Sequence, residues 1–271
     1  MFHNNAKIVQ AMAPMLQRVL IADPQTANAK LLGELMRSMV RCQVWAAPTT
    51  AKALKLAETV DPDIVFVELA AEGVDGVDFT RRLRRSALAC RQAPVIMVTG
   101  QATAASILAA RDAGVHEFLR KPFTVKDLLR RLEAVTLRPR DWIEAVDYVG
   151  PDRRRFNSGD YTGSLKRRSD APPTPDAGRT AQSLKILKSA IGAIERDPSQ
   201  ALRAMQTQAR DLQKAAAGAG DIRLATAAAE VSRYLAEAER GARPFTAAEA
   251  ERHAAPLLAY LPREARSPEA A

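Results

Sequence analysis

Apolar residues along positions 18–137 alternate between short runs and helical stripes. Val19-Leu20-Ile21-Ala22 is an apolar run that ends at Asp23, and a helical face of Ala27, Leu31, Leu32, Leu35 and Met39 follows it. Val44-Trp45-Ala46 predicts a second strand, and Thr49 or Thr50 caps a helix carrying Ala53, Leu54 and Leu56. Ile64-Val65-Phe66-Val67 lies between the Pro62-Asp63 turn and Glu68, the pattern of a strand buried on both faces. Gly73 and Gly76 punctuate a loop before the stripe Val77, Phe79, Leu83. Val95-Ile96-Met97-Val98 ends at Thr99, a helix over 102–113 is closed by Gly114, and Phe118-Leu119 ends at Lys121-Pro122. Val125, Leu128, Leu129, Leu132 and Val135 line the last helix of this part. Five βα units with this spacing predict an α/β domain over 18–137, with a doubly wound, five-stranded parallel sheet.

The periodicity stops after Leu137. Pro139, Pro151, Pro172, Pro173 and Pro175, with Gly150, Gly159, Gly163 and Gly178, mark 138–179 as a basic, flexible linker. From Thr180 the helical period returns. Leu184, Leu187, Ile191 and Ile194 form one stripe, and Leu202, Met205, Ala209 and Leu212 form a second, opened by Asp197-Pro198-Ser199-Gln200 as cap, first-turn proline and capping-box partner. Gly218 and Gly220 break that stripe. Leu224, Ala228, Val231 and Leu235 form a third, and the capping box Thr246-Ala247-Ala248-Glu249 leads to Leu257, Leu258 and Leu261. Four amphipathic helices with short joints predict an all-α antiparallel bundle over 180–262. Residues 1–17 read as an N-terminal extension and 263–271 as a frayed tail.

Composition narrows the class. The 271 residues hold only two cysteines, Cys42 and Cys90, too few for a disulfide framework and consistent with a reducing cytoplasm. No signal peptide and no apolar run long enough to span a bilayer is found, so cytoplasmic location without a membrane role is expected. A formal charge of +9 permits an anionic partner without naming one; a basic surface serving solubility alone explains it equally well.

The acid at the end of the third strand falls where open α/β sheets bind ligands, at the carboxyl ends of the strands. Asp23, Glu68, Thr99 and Lys121-Pro122, in this order and at these strand ends, resemble the response-regulator receiver (CheY-like) family over about 120 residues. Gly114-Val115-His116-Glu117-Phe118-Leu119-Arg120-Lys121-Pro122-Phe123 is close to that family's pattern around its lysine. The resemblance implies a flavodoxin-like fold, a place in two-component phosphorelay signalling, and a phospho-acceptor at position 68. It also implies a receiver pocket of Asp23, Thr99 and Lys121, and Phe118 as the switch aromatic, a position that ordinary core packing explains as well.

The pocket departs from the family at two points. The family carries two adjacent acids after the first strand and an aspartate acceptor, which together hold Mg²⁺. Here the pair is Asp23-Pro24 and the acceptor position carries Glu68. Proline supplies no side-chain oxygen, and Mg²⁺ demands near-octahedral oxygen ligation. The extra methylene of Glu68 displaces its carboxylate by about 1 Å or more, enough to cost orders of magnitude in an in-line attack. The expectation is a degenerate, pseudo-receiver site that is not an enzyme and acts through protein–protein interaction. Glu68 then mimics a phosphorylated state, is inert, or pairs with Lys121 for local structure alone. A regulator that still accepts phosphate is the competing reading.

The linker carries an internal repeat. Tyr148-Val149-Gly150-Pro151-Asp152-Arg153-Arg154-Arg155 recurs as Tyr161-Thr162-Gly163-Ser164-Leu165-Lys166-Arg167-Arg168. Arginine forks bind phosphate or a guanine edge bidentately and tyrosine offers a stacking face. The arrangement resembles arginine-rich tails of some motility and cell-cycle receivers that bind cyclic di-GMP. A solvated basic linker is the plainer reading. No recognition helix or zinc spacing supports sequence-specific DNA binding. Ala209 to Ala216 faintly resembles a histidine-phosphotransfer motif, but Arg210 occupies the histidine's place, and arginine has no lone pair to accept phosphate. Signalling or motility proteins are the expected partners, reached through the receiver face and the bundle.

Overall fold

The chain is described by a computed structural model covering residues 2–100, 103–153 and 175–261. It divides into two units, 1–143 with 148–161, and 144–147 with 162–271.

In the first unit β3 (Ile64–Glu68) is buried at every position and forms the centre of the sheet. β1 (Arg18–Ala22), β2 (Gln43–Ala47), β6 (Val95–Thr99) and β7 (Glu117–Arg120) complete it in the order β2-β1-β3-β6-β7, all parallel. Winding reverses between β1 and β3, so the crevice opens at their carboxyl ends, beside Asp23 and Glu68. The strand period of two sends alternate residues to two cores. Val19, Ile21, Phe66, Ile96 and Val98 face one side with residues of α2 (Thr26–Met39) and α6 (Val125–Thr136). Leu20, Ala22, Val65, Val67 and Met97 face the other, with α3 (Thr50–Val60), α4 (Gly76–Arg85) and α5 (Ala104–Ala113).

Polar residues fix where these helices begin. Thr49 caps α3 by accepting from the Lys52 amide, and Asp75 caps α4 by accepting from Val77 and Asp78. Thr103 with Ser106 and Thr124 with Asp127 form reciprocal capping boxes on α5 and α6. Short two-residue strands β4 (Ala70–Ala71) and β5 (Val74–Asp75) pair in the loop after β3.

Two stretches depart from the sequence reading. The N-terminal extension contains a helix, α1 (Phe2–Met12), with contacts to α6, and Met12 and Leu16 are fully buried in the α2/α6 core. The segment read as linker is structured over 139–153, where β8 (Trp142–Glu144) pairs with β9 (Val149–Pro151). Buried Tyr148 and Val149 and the side chain of Arg84 account for that order. Arg84 is 1% exposed, and its Nε donates to Gly114 O at 3.0 Å while Nη1 donates to Arg91 O and Ala93 O. The same guanidinium lies 5.3 Å from the Trp142 ring.

The second unit holds α7 (Pro175–Ile191), α8 (Pro198–Ala219), α9 (Ile222–Glu239) and α10 (Ala247–Leu258). Each helix packs against two others, α8 against α7 and α9, and α10 against α9 and α7. The first helix therefore begins at Pro175, earlier than the expected 180. Gly220, at φ 68°, ends α8, and Gly218 lies within it. Asp197 caps α8, but the Gln200 side chain does not close the expected box. Its Nε2 donates instead to Glu144 Oε1 at 2.8 Å and Ala145 O at 3.1 Å, and Gln208 Nε2 donates to Glu144 O at 3.1 Å. Glu144, Gln200 and Gln208 are all buried, so these bonds satisfy groups that water does not reach.

Candidate functional site

Three strand ends deliver the site. β1 ends beside Asp23, β3 ends in Glu68, and the loop after β7 presents Lys121. The Lys121 amide donates to Thr99 O at 2.7 Å, which fixes this loop against the end of β6, and the Lys121-Pro122 peptide is cis. Lys121 Nζ donates to Glu68 Oε2 at 2.7 Å and to Asp23 Oδ2 at 2.9 Å. The second oxygen of each carboxylate turns to backbone. Glu68 Oε1 accepts from Leu69 N at 2.9 Å, and Asp23 Oδ1 accepts from Gln25 N at 2.8 Å.

The carboxylates are nearly enclosed, with 10% of the Glu68 side chain and 8% of that of Asp23 exposed, against 23% for Lys121. Burial by itself pulls the Lys121 ammonium down. The hydrogen bonds and charges of Glu68 and Asp23 together outweigh it and hold the ammonium above its ordinary value. The lysine is therefore a fixed cation at neutral pH. Two carboxylates share it.

The donor set does not suit Mg²⁺, which the receiver pattern would place here. Pro24 offers no side-chain oxygen, and an ammonium bridges the two carboxylates that remain. Among the described residues no group of three or more His, Cys, Asp or Glu side chains is placed to hold a metal ion.

The remaining pocket positions are close by. Thr99 is buried at the end of β6. Phe118 is half-buried on β7 and packs against the α3/α4/α5 core. Gly76, read from the sequence as a loop glycine, is the first residue of α4. Its amide donates to Leu69 O at 2.9 Å, and a Cβ there would stand 2.4 Å from Glu68 O, so only glycine lets α4 approach β3 this closely. The sequence reading missed the residues beside the acids, Asn28, Leu35 and Phe123 among them, which line a cavity.

The linker candidates separate. Tyr148 is 6% exposed and its hydroxyl donates to Pro151 O at 2.5 Å. Arg153 lies 4.2 Å from the Tyr148 ring and pairs with Asp112 at 2.9 Å. Tyr148 and Arg153 of the first copy are thus engaged with their own domain. Arg154, Arg155, Tyr161, Lys166, Arg167 and Arg168 lie outside the described residues. Arg210 is exposed on α8, with its Nε donating to Gln206 O. Of the histidines with described side chains, His116 is buried and His253 stacks on Tyr234 with ring centres 4.4 Å apart.

Comparison with known proteins agrees with this geometry. Residues 19–133 match the family model of the response regulator receiver domain. The transcriptional regulatory protein PdtaR of Mycobacterium tuberculosis is 30% identical over 129 residues, 48% of this chain and 61% of PdtaR. The DNA-binding response regulator MtrA of Mycobacterium bovis is 27% identical over 123 residues, 45% of this chain and 52% of MtrA. The chain thus spans between half and two thirds of the length of these relatives. The structure of the Vibrio cholerae chemotaxis protein CheY4 superposes with a TM-score of 0.42 at 20% identity, covering 44% of this chain and 98% of that one. With the strand order, the acid–lysine pocket and the family match in place, residues 19–133 are a receiver domain of the response regulator family.

Proposed function

We propose that this receiver does not relay phosphate and serves as a docking module held in one state, acting in signalling or motility through protein partners and catalysing no reaction. A single observation carries the reading. Both oxygens of Glu68 are engaged, one by Lys121 at 2.7 Å and one by the Leu69 amide at 2.9 Å. In-line transfer of a phosphoryl group requires a carboxylate oxygen aimed at phosphorus. Here Lys121 and the Leu69 amide fix the direction of both oxygens, on a side chain one methylene too long, with no second acid to hold Mg²⁺.

The same pair defines the fixed state. The ammonium that would meet a phosphoryl oxygen is already satisfied by Glu68, so Thr99 and Phe118 experience constant charge at the strand ends. Among the described residues no helix is long and apolar enough to cross a membrane, which suits a protein that meets its partners in the cytoplasm. The DNA-binding named for MtrA is not carried over, because the family match ends at residue 133 and four packed helices follow.

The test is an amide NMR spectrum with and without Mg²⁺ and beryllofluoride, a phosphoryl analogue. The resonances of Thr99 and Phe118 are expected to stay in place. Saturable shifts at both would overturn the reading.

A second reading, a cyclic di-GMP effector, draws on the repeated arginine motif. Displacing Arg153 from Tyr148 and Asp112 costs only about 1–2 kcal/mol, since surface cation–π and ion-pair contacts are weak. Calorimetry at about 150 mM salt, near physiological ionic strength, with cyclic di-GMP, GTP and a DNA duplex separates specific binding from charge attraction; equal binding to all three excludes this reading.

A further inference from the structure

The cavity beside the acid pair has a volume of about 410 Å³. That lies in the range of small-molecule sites, which are mostly apolar with a few convergent polar groups. Leu31 and Leu35 of α2 and Phe123 form its apolar side, and Asp23, Glu68 and Lys121 form its polar end. The cavity opens to solvent, and an apolar body seated in it gains contacts that its apolar lining lacks against water. Leu31 supplies a second sign. It belongs to the apolar stripe of α2, yet it is 57% exposed.

The polar end sets the chemistry of an occupant. It holds two carboxylates against one ammonium, a balance that favours a cation over an anion. The donor set does not suit a divalent metal. An organic ammonium needs only acceptor directions, and each carboxylate oxygen keeps one, since an oxygen offers two lone pairs and the bonds described above use one on each. We propose that this pocket binds a small hydrophobic amine, with its ammonium on the Asp23 and Glu68 carboxylates and its apolar body between Leu31, Leu35 and Phe123. The ligand would then act at the strand ends where the family receives its signal, and its body would fill the space under exposed Leu31. The proposal goes beyond the docking reading, and its test uses no phosphodonor, so either can fail alone.

The full-length chain is titrated with 4-phenylbutylamine, 4-phenylbutanol and 4-phenylbutanoate, followed by leucine-methyl and amide NMR. The amine is expected to shift the Leu31 and Leu35 methyls and the Glu68 and Leu69 amides. It should bind about tenfold tighter than the alcohol, the effect of one hydrogen bond to a charged group, and the carboxylate should bind weakest. Glu68→Gln should narrow the gap between amine and alcohol. Absence of shifts with the amine at millimolar concentration, or equal binding of amine, alcohol and carboxylate, would overturn the proposal.

Discussion

Arg84 Nη2 lies 3.1 Å from Nδ1 of His116, and the Val95 amide donates to the same nitrogen at 3.3 Å. Two donors directed at one ring nitrogen require it to be an unprotonated acceptor. Burial first, then the charges of Arg84 and Arg140, push the imidazole well below its ordinary value of 6.5. The unfolded chain takes up a proton as pH falls through 6.5, and the folded chain does not. This histidine therefore leaves stability unchanged above that value and lowers it below, by up to about 1.4 kcal/mol per pH unit. Urea unfolding at pH 7 and pH 5, for the natural chain and His116→Gln, isolates the contribution. The natural chain should lose more stability between the two pH values; equal losses would show that His116 does not titrate in this way.

Arg84 binds three backbone carbonyls, those of Arg91, Ala93 and Gly114. Burial pulls its guanidinium down to about 9, which still leaves it charged at neutral pH. Arg84→Met strands those carbonyls and should cost about 3–5 kcal/mol, the cost of breaking a buried charged network. Arg84→Lys should recover little, because a single ammonium cannot reproduce the fork. Thermal unfolding of both variants checks this, and a loss below about 1 kcal/mol, the scale of an ordinary hydrogen bond, would contradict it.

Gly114 closes α5 at φ 94°, and a Cβ there would stand 2.5 Å from Val149 O. Gly114→Ala meets both backbone strain and a clash with β9. We expect a loss of about 1–3 kcal/mol and faster hydrogen exchange in 148–151. Unchanged exchange there would show that β9 is held by other contacts.

The helical unit should fold without the receiver, but less stably if it begins at Pro175. Such a fragment lacks Glu144 and Ala145, leaving buried Gln200 and Gln208 without the partners described above. The expected deficit relative to a fragment that includes 144–147 is about 1–3 kcal/mol per stranded group. Circular dichroism with urea unfolding of the two fragments measures it. Equal midpoints would mean that water satisfies these amides.

The sheet and its acid–lysine site were legible because strand ends in a doubly wound fold are marked by composition. An apolar run followed by Asp23, Glu68, Thr99 or Lys121 announces both the strand and the crevice it faces. The pairing of Glu68 with Lys121 was one of the alternatives that the sequence left open, and the geometry adds the second partner, Asp23. The order of 139–153 was not legible, because its anchor is Arg84, a basic residue whose burial depends on three carbonyls from two separate segments. The N-terminal helix was hidden for a related reason. Met12 and Leu16 are buried by α2 and α6, and nothing local in the sequence declares that. Gln200 read as a capping partner because its spacing suits a box, whereas its side chain serves Glu144, which is 56 residues away in the chain. The cavity left no local signature, since Leu31 and Leu35 fit an ordinary helical stripe.

The central claim is that Glu68, held by Lys121 and lacking an acid at position 24, cannot take a phosphoryl group. Intact-mass spectrometry after incubation with acetyl phosphate and Mg²⁺ tests it directly. It is applied to the natural chain, Glu68→Asp, Pro24→Asp and the double variant. The natural chain should gain no phosphoryl mass, the single variants little, and the double variant most, because it restores both the acceptor length and the missing metal ligand. A phosphoryl group on the natural chain that disappears in Glu68→Gln would contradict the account.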